Sequence, residues 1–312
     1  MAAMAWHITG DAAEFLAAAG PWLRRERARN TVILSVTETM RVNAAAATGK
    51  SSAAARQPQS PAAGQTVGQT AGQASRPLLG WWSDPAGAVA GAFMHTPPFP
   101  VVLTAVPLEA AAELSAVAMA GRPLGGVNAY PEVAAAFADG WRHGNQAGRV
   151  VVYRRQRLYR LAELVWPDPA PGGAARIARD PDAPLAAGWF AAFADEVDDM
   201  GRGEDQSAAA REKISRGGAM VWEDGGRPVS IACNTVQVGG MVRIGPVYTP
   251  PRARGRGYAS AATAALSRRL LEAGAEEVVL YTDLANPVSN SIYQRVGYRP
   301  VEDRVVLAFS AD

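Results

Sequence analysis

Cysteine is nearly absent: Cys233 is the only one in 312 residues, so no disulfide framework holds this chain. Cys233 sits in an apolar, strand-like run, Val229–Asn234, and reads as a small core residue. Histidine is almost as scarce. His7, His95 and His143 are scattered without metal-ligand spacing, so no metal is expected, and nothing local supports a Ser-His-Asp or Cys-His mechanism. Lysine stands only at Lys50 and Lys213; codon bias toward arginine accounts for that without any function. Neither sign of charge prevails, because 31 basic against 29 acidic residues leave a net charge of +2, too weak a field to argue for nucleic acid. Long apolar runs are missing as well. The opening MAAMAWHITGDAAEFL has neither a basic start nor an extended apolar stretch, so neither export nor a membrane span is expected, and the cytoplasm is the expected compartment.

The composition that remains, 48% hydrophobic and 19% charged, is that of a globular protein, with length for one large or two ordinary domains. Two stretches break the pattern. Residues 44–76 contain GQTVGQTAGQAS, no aromatic side chain and a single valine, which predicts a disordered surface loop. WPDPAPGG, at Trp166–Gly173, is dense in the strongest structure punctuators. The expected division is an N-terminal lobe over 1–165, a linker over 166–174 and a C-terminal domain over 175–312.

Periodicity predicts helices at 11–24 and 29–40, strands at 78–83, 88–95 and 101–105, helices at 108–120 and 131–143, and a strand at 149–161. Asp84-Pro85-Ala86-Gly87 makes a hairpin turn between the first two of those strands. After the break the order is similar. A strand at 175–178 leads to helices at 184–200, with Asp182 as its cap, and at 207–216. Strands follow at 219–223, 228–234 and 241–247, then a helix at 258–273, a strand at 277–281, a helix at 288–295 and a last strand at 298–308. The two halves therefore read as divergent copies of one unit. Trp81, Trp82, Phe93 and Phe99 in the first half fit core packing, with lining of a cleft as the alternative.

The chemistry concentrates in Gly245–Ala259, GPVYTPPRARGRGYA. An apolar strand ends at Val247, and Arg252-Ala253-Arg254-Gly255-Arg256-Gly257 opens directly into an alanine-rich helix. A helix start presents unpaired N–H groups and the positive end of its dipole, and glycines let backbone approach a ligand closely. That combination suits a pyrophosphate, and Arg252, Arg254 and Arg256 add charge for further phosphates. No Gly-Lys-Ser/Thr follows, which excludes a Walker loop, and the third glycine of a dinucleotide-binding fingerprint is missing. Some 30 residues on stand the strand Val278–Tyr281, then Asn286-Pro287-Val288-Ser289-Asn290-Ser291-Ile292-Tyr293, then Gly297-Tyr298.

From about Ala175 to Phe309 the chain resembles the GCN5-related N-acetyltransferase superfamily, in which an R/Q-x-x-G-x-G/A loop and an N-x-x-A/S-x-x-x-Y-x-x-x-G-F/Y helix sit on adjacent, splayed strands. The resemblance implies an α/β (α+β) fold: a mixed, mostly antiparallel twisted sheet flanked by helices, here as two tandem lobes. It implies acetyl-CoA as co-substrate and an amine of a small molecule or protein as acceptor. The backbone of Val247 and Tyr248 would pair with the pantetheine arm and polarise the thioester carbonyl. The N–H groups of Arg254, Gly255, Arg256, Gly257, Tyr258 and Ala259 would hold the pyrophosphate. Asn286 and Ser289 would contact the cofactor across the splay, and Tyr293 would protonate the departing thiolate. Glu196, Glu223 and Asp283 are candidate bases by location, none of them assigned. The corresponding place in the first half, Val106-Pro107-Leu108-Glu109-Ala110, has no glycine pair and puts an acid in the first helical turn, so that half is not expected to bind CoA. A monomer or homodimer is expected. Non-catalytic acyl-CoA binding, or a scaffold role for the first half, are the alternatives.

Overall fold

The computed structural model describes residues 5–54, 76–145, 148–197 and 203–310, with only the backbone described over 46–54. The chain divides into two compact units, Met1–Arg154 with Arg304–Asp312, and Arg155–Asp303.

The first unit runs β1 (Ala5–Thr9), α1 (Ala12–Leu23), α2 (Thr31–Ala54), β2 (Leu78–Ser83), β3 (Val89–His95), β4 (Val101–Leu103), α3 (Leu108–Glu113), β5 (Gly126–Ala129), α4 (Pro131–Gly144) and the start of β6 (Arg149–Leu161). Asp11 caps α1, its Oδ1 accepting from Ala13 N at 2.7 Å. Asp84 Oδ1 accepts from Ala86 N and Ala88 N at 2.9 Å each, which closes the expected β2–β3 turn. Strands β1 to β4 pair antiparallel in sequence, and β4 and β5 pair parallel. The far side of β5 is taken by the end of the chain, Val305–Ala308. The core holds Trp82, Phe93, Leu103, Leu114, Phe137, Trp141 and Phe309. Trp82 and Phe93 are thus core residues, Trp81 stacks on His7 with ring centroids 5.2 Å apart, and Phe99 is exposed.

Several expectations change here. Residues 44–54, read as loop, continue α2 as helix. Alanine is the strongest helix former, and a segment without apolar periodicity conceals that propensity. The remainder of the expected loop, 55–75, lies outside the described residues. The helix at 108–120 ends at Glu113 and passes into a π turn over Leu114–Ala118. Strands β1 and β5 escaped the pattern reading. AWHIT and GVNA are short, and GVNA becomes a strand because Val127 is paired on both sides, with Val101 and with Leu307.

The second unit begins inside β6, where Gln156–Arg160 pair antiparallel with β11 (Glu277–Asp283). It continues through β7 (Ala174–Ile177), α5 (Ala183–Glu196), α6 (Ser207–Ser215), β8 (Ala219–Asp224), β9 (Arg227–Asn234), β10 (Met241–Tyr248), α7 (Tyr258–Glu272), β11, α8 (Pro287–Val296) and the start of β12 (Tyr298–Ser310). Strands β7 to β10 pair antiparallel in sequence and β10 pairs parallel with β11. This is the order of elements and pairing found in the first unit. The strands at the division are exchanged, however. β6 follows α4 in the chain yet pairs with β11, and β12 follows α8 yet pairs with β5. The stretch 166–173 lies inside the second unit, where Trp222 Nε1 donates to the Gly172 carbonyl at 2.8 Å and Arg268 stacks over Trp166 at 4.8 Å. Two apolar clusters cover the two faces of this sheet. Val242, Ile244, Val278 and Leu280 pack with the inner face of α7, while Val221, Ile231 and Cys233 pack with Phe190 and Ile214 of α5 and α6. Cys233 is fully buried, and burial pushes its thiol up to about 12, so it is an inert core residue. Asp182 precedes α5 without capping it. Its carboxylate accepts instead from the Arg179 N–H at 2.7 Å and from Arg176 at 2.7 and 2.9 Å.

Candidate functional site

β10 and β11 are paired only from Met241 with Glu277 to Ile244 with Leu280. Beyond that point β11 stays with β6 as far as Asp283, while β10 stays with β9 through Val247 with Ala232 and Tyr248 with Ile231. The register of β10 shifts between Ile244 and Val247. Pro246 lies in that interval and has no N–H to give a ladder. The two strands therefore part, and β11 leaves the edge of Val247 and Tyr248 unclaimed.

The chain leaves β10 through a short 3₁₀ turn, Pro251–Ala253, and enters α7 at Tyr258. Gly255 and Gly257 both take left-handed backbone, with φ of 75° and 82°. Only glycine does this at little cost. Gly257 is the N-cap of α7 and supplies no side-chain cap, so the first N–H groups of the helix face outward with the positive dipole end behind them. The first helical tyrosine, Tyr258, is buried and its hydroxyl donates to Asp224 Oδ2.

A cavity of about 470 Å³ opens between this helix start and the parted strands. Of the residues singled out by sequence, Val247, Tyr248, Arg254, Gly255, Gly257, Tyr258, Ala259, Asn286, Ser289 and Tyr293 line it. Arg252 and Arg256 are exposed and do not. Phe193, Thr249, Ser260, Val288 and Ile292 also contribute to the wall and carry no motif signal.

Three of these side chains are engaged in ways the sequence did not indicate. Arg254 grips both oxygens of Glu196 at 2.6 and 2.7 Å and donates through Nε to the Thr249 carbonyl at 2.8 Å. Tyr248 donates its hydroxyl to the same carboxylate at 3.2 Å, and burial raises its pKa, with Glu196 adding to the shift. Asn286 is the N-cap of α8, its Oδ1 accepting from Ser289 N at 3.0 Å. The other two candidate bases are held as well: Glu223 by Arg176 at 2.6 Å, and Asp283 in a turn with Ala285 N at 2.8 Å.

Tyr293 projects from α8 with its ring edge-on to Tyr298, centroids 6.1 Å apart. Burial alone pushes its phenol up to about 12, so the hydroxyl is neutral and available as a donor at physiological pH. A residue the motif reading passed over fixes this helix. Asn290 Oδ1 accepts from Tyr159 at 3.0 Å and Thr282 at 2.6 Å, and its Nδ2 donates to the carbonyls of Asp283 and Asn286 at 2.9 and 2.7 Å. Its spacing of four from the Asn286 cap was the available signal. Gly297 ends α8 at φ 106°, where a side chain would strike the Glu163 carbonyl at 1.7 Å.

No described helix is long and apolar enough to cross a membrane. Residues 185–298 match the family model described as the Acetyltransferase (GNAT) family. No curated protein matches the chain. A solved Drosophila protein superposes with a TM-score of 0.62 at 13% identity, over 99% of this chain and 99% of that one. An acetyltransferase of the GNAT family from Colwellia psychrerythraea gives 0.50 at 13% identity, over 74% of this chain and 85% of that one. A GCN5-related N-acetyltransferase from Kribbella flavida gives 0.49 at 21% identity, over 70% of this chain and 86% of that one. At these identities the likeness to the Drosophila and Colwellia structures is one of fold.

Proposed function

We propose, from the match of residues 185–298 to the GNAT acetyltransferase family model, that this protein is an N-acetyltransferase that uses acetyl-CoA to acetylate a primary amine. The observation that carries this reading is the left-handed Gly255–Gly257 turn, which leaves the start of α7 uncapped beside the cavity of the parted strands. The residues present fit CoA. Outward N–H groups at a helix start suit a pyrophosphate, and the open edge of β10 suits the amide-bearing pantetheine arm, which can pair as a short strand does. Arg252 is exposed and would add charge for phosphate; Arg256 is exposed beside the Tyr258 hydroxyl, and Arg254 is committed to Glu196. Asn286 would meet the cofactor through its amide Nδ2, since its oxygen is in the cap.

Acetyl-CoA supplies a thioester carbonyl, at which an amine forms the new C–N bond as the C–S bond breaks. Val247 and Tyr248 would orient that carbonyl from the strand edge, and a fixed backbone N–H there would stabilise negative charge on its oxygen. Tyr293, neutral and half-buried, would give its proton to the departing sulfur. The amine must lose a proton. Glu196 stands at the cavity wall beside Arg254 and would accept that proton, directly or through water.

Calorimetry with CoA and acetyl-CoA, followed by measurement of CoA release over a panel of amines, tests this. Binding with release from at least one amine is expected. A folded protein giving no heat with either ligand refutes the reading, and binding without release from any amine would turn it into a non-catalytic acyl-CoA-binding module.

A further inference from the structure

The face of the second unit's sheet away from α7 carries positive charge that the reaction above leaves unused. Val242 and Ile244 point into the core beneath α7, so alternation along β10 turns Arg243 and Gly245 to the other face. That face is the one packed by Cys233 and α6. Lys213 of α6 and Arg216, just after it, reach the same place. Lys213 Nζ donates to the Asn234 carbonyl at 3.3 Å, and Arg216 Nη2 donates to the same oxygen. The next residue, Thr235, pairs with Arg243, its N–H donating to the Arg243 carbonyl at 2.8 Å and its Oγ1 accepting from Arg243 N at 3.2 Å.

Lys213 and Arg216 thus meet at the Asn234 carbonyl, and Arg243, whose backbone pairs with Thr235, adds its charge near Lys213. Among the described residues, the carboxylate recorded beside them is Glu212, which is already paired with Arg216 at 2.6 Å. Arg243 has no ion pair and no side-chain hydrogen bond among the described residues, and the group facing it is the phenol of Tyr281. Burial works against the charge on both Lys213 and Arg243, lowering the pKa of each. A half-buried cation without a carboxylate is costly to fold, and such charges concentrate where a ligand supplies the missing counter-charge.

Space lies beside this charge. A side chain at Gly245, the next residue of β10 on the same face, would meet no atom within 4 Å. On this face the stretch of β10 from Arg243 past Gly245 to Tyr248 spans five residues, roughly 16 Å of strand before the register shift shortens it. Glu196 and Tyr248 stand at its inner end, in the cavity wall.

We propose that this stretch of β10 seats the acceptor, and that the acceptor is an amine whose far end carries an anionic group, carboxylate or phosphate, bound by Arg243 with Lys213 beside it. The inference rests on the acetyl-transfer reading above and adds the acceptor class to it. Amine and anion would stand on the order of 10 Å apart, set by the strand rise between the two ends of the stretch.

The test uses the full chain saturated with acetyl-CoA and matched acceptors: one aliphatic amine scaffold of graded length ending in carboxylate, phosphate, neutral amide or ammonium. The anionic members are expected to exceed their amide in kcat/KM by about 10- to 100-fold, the range of a charge-assisted hydrogen bond, and the two anionic arms show which group is preferred. Arg243→Gln should erase that preference, mainly through KM, and leave acetyl-CoA binding by calorimetry unchanged. Lys213→Met serves as a second variant should the first fail to fold, with a smaller loss of the same preference. Direct titration of the carboxylate amine and its amide into CoA-loaded protein gives a readout independent of turnover. Equal use and equal binding of anionic and neutral amines would overturn this inference while leaving acetyl transfer intact; absence of acetyl-CoA binding would overturn both.

Discussion

Replacing Gly257 by valine perturbs the site through backbone alone. At φ 82° the residue is left-handed, and its added Cβ would meet only Pro171 side-chain atoms at 3.7 Å or more, which is ordinary contact. There is room for the side chain, so the cost is conformational: about 1–2 kcal/mol for a non-glycine residue held left-handed, more for a β-branched one. Gly274, just past the far end of α7, has φ 88° and open space around it, and provides the control. Gly274→Val should cost the same and lower the melting temperature by about the same few degrees. The two differ in what the turned peptides do. At Gly257 they aim the first N–H groups of α7 toward the cavity, and relaxing the turn would remove one or two charge-assisted bonds to a pyrophosphate, each worth about 1.5–3 kcal/mol. CoA affinity should therefore fall between about 10-fold and about 10,000-fold in Gly257→Val and change less than twofold in Gly274→Val, as read by isothermal calorimetry alongside thermal melts. Equal CoA affinity in the two variants, with both folded, would show that the helix start does not hold the cofactor.

Tyr293→Phe keeps the ring and its contact with Tyr298, so the fold should lose less than about 1 kcal/mol. A phenol near 12 is a weaker acid than an ordinary thiol at about 8.5, which puts its contribution near the lower end for general acids. Single-turnover acetylation should slow about 100-fold at unchanged acetyl-CoA affinity, and a change under threefold would remove the tyrosine from the chemistry. Asp182 has its pKa lowered chiefly by Arg176, so it stabilises the fold above the ordinary aspartate pKa, and that stabilisation fades as pH falls through the lower folded value. Asp182→Asn should cost about 1–3 kcal/mol in denaturant titrations at pH 7, with the gap to wild type narrowing below about pH 4; a gap constant with pH would assign the cost to something other than charge. Gly297→Ala must displace the Glu163 carbonyl, which lies 1.7 Å from the new Cβ. A loss of more than about 3 kcal/mol is expected from the clash together with the left-handed φ, and a near-normal melt would contradict the docking of 162–165 on the end of α8.

The sequence by itself determined what is local. Period and punctuation placed most helices and strands of both units, and the run from Val247 to Ala259 carried its own geometry, since glycines before an alanine-rich helix dictate an uncapped start wherever the chain goes next. Low-complexity composition hid the helical continuation over 44–54. Tertiary structure decided what depends on partners distant in the chain. Nothing in β6 or β12 says that the two will exchange partners, because alternation records a strand's buried face and is silent about its neighbour. The same holds at the site. Arg254 reads as a phosphate ligand until Glu196, 58 residues away, claims it, and Asn290 carries no assigned role until Tyr159, 131 away, donates to it. Charge and hydrogen-bonding capacity are written in each residue, whereas their pairing is a property of distance, and only the folded chain sets the distances.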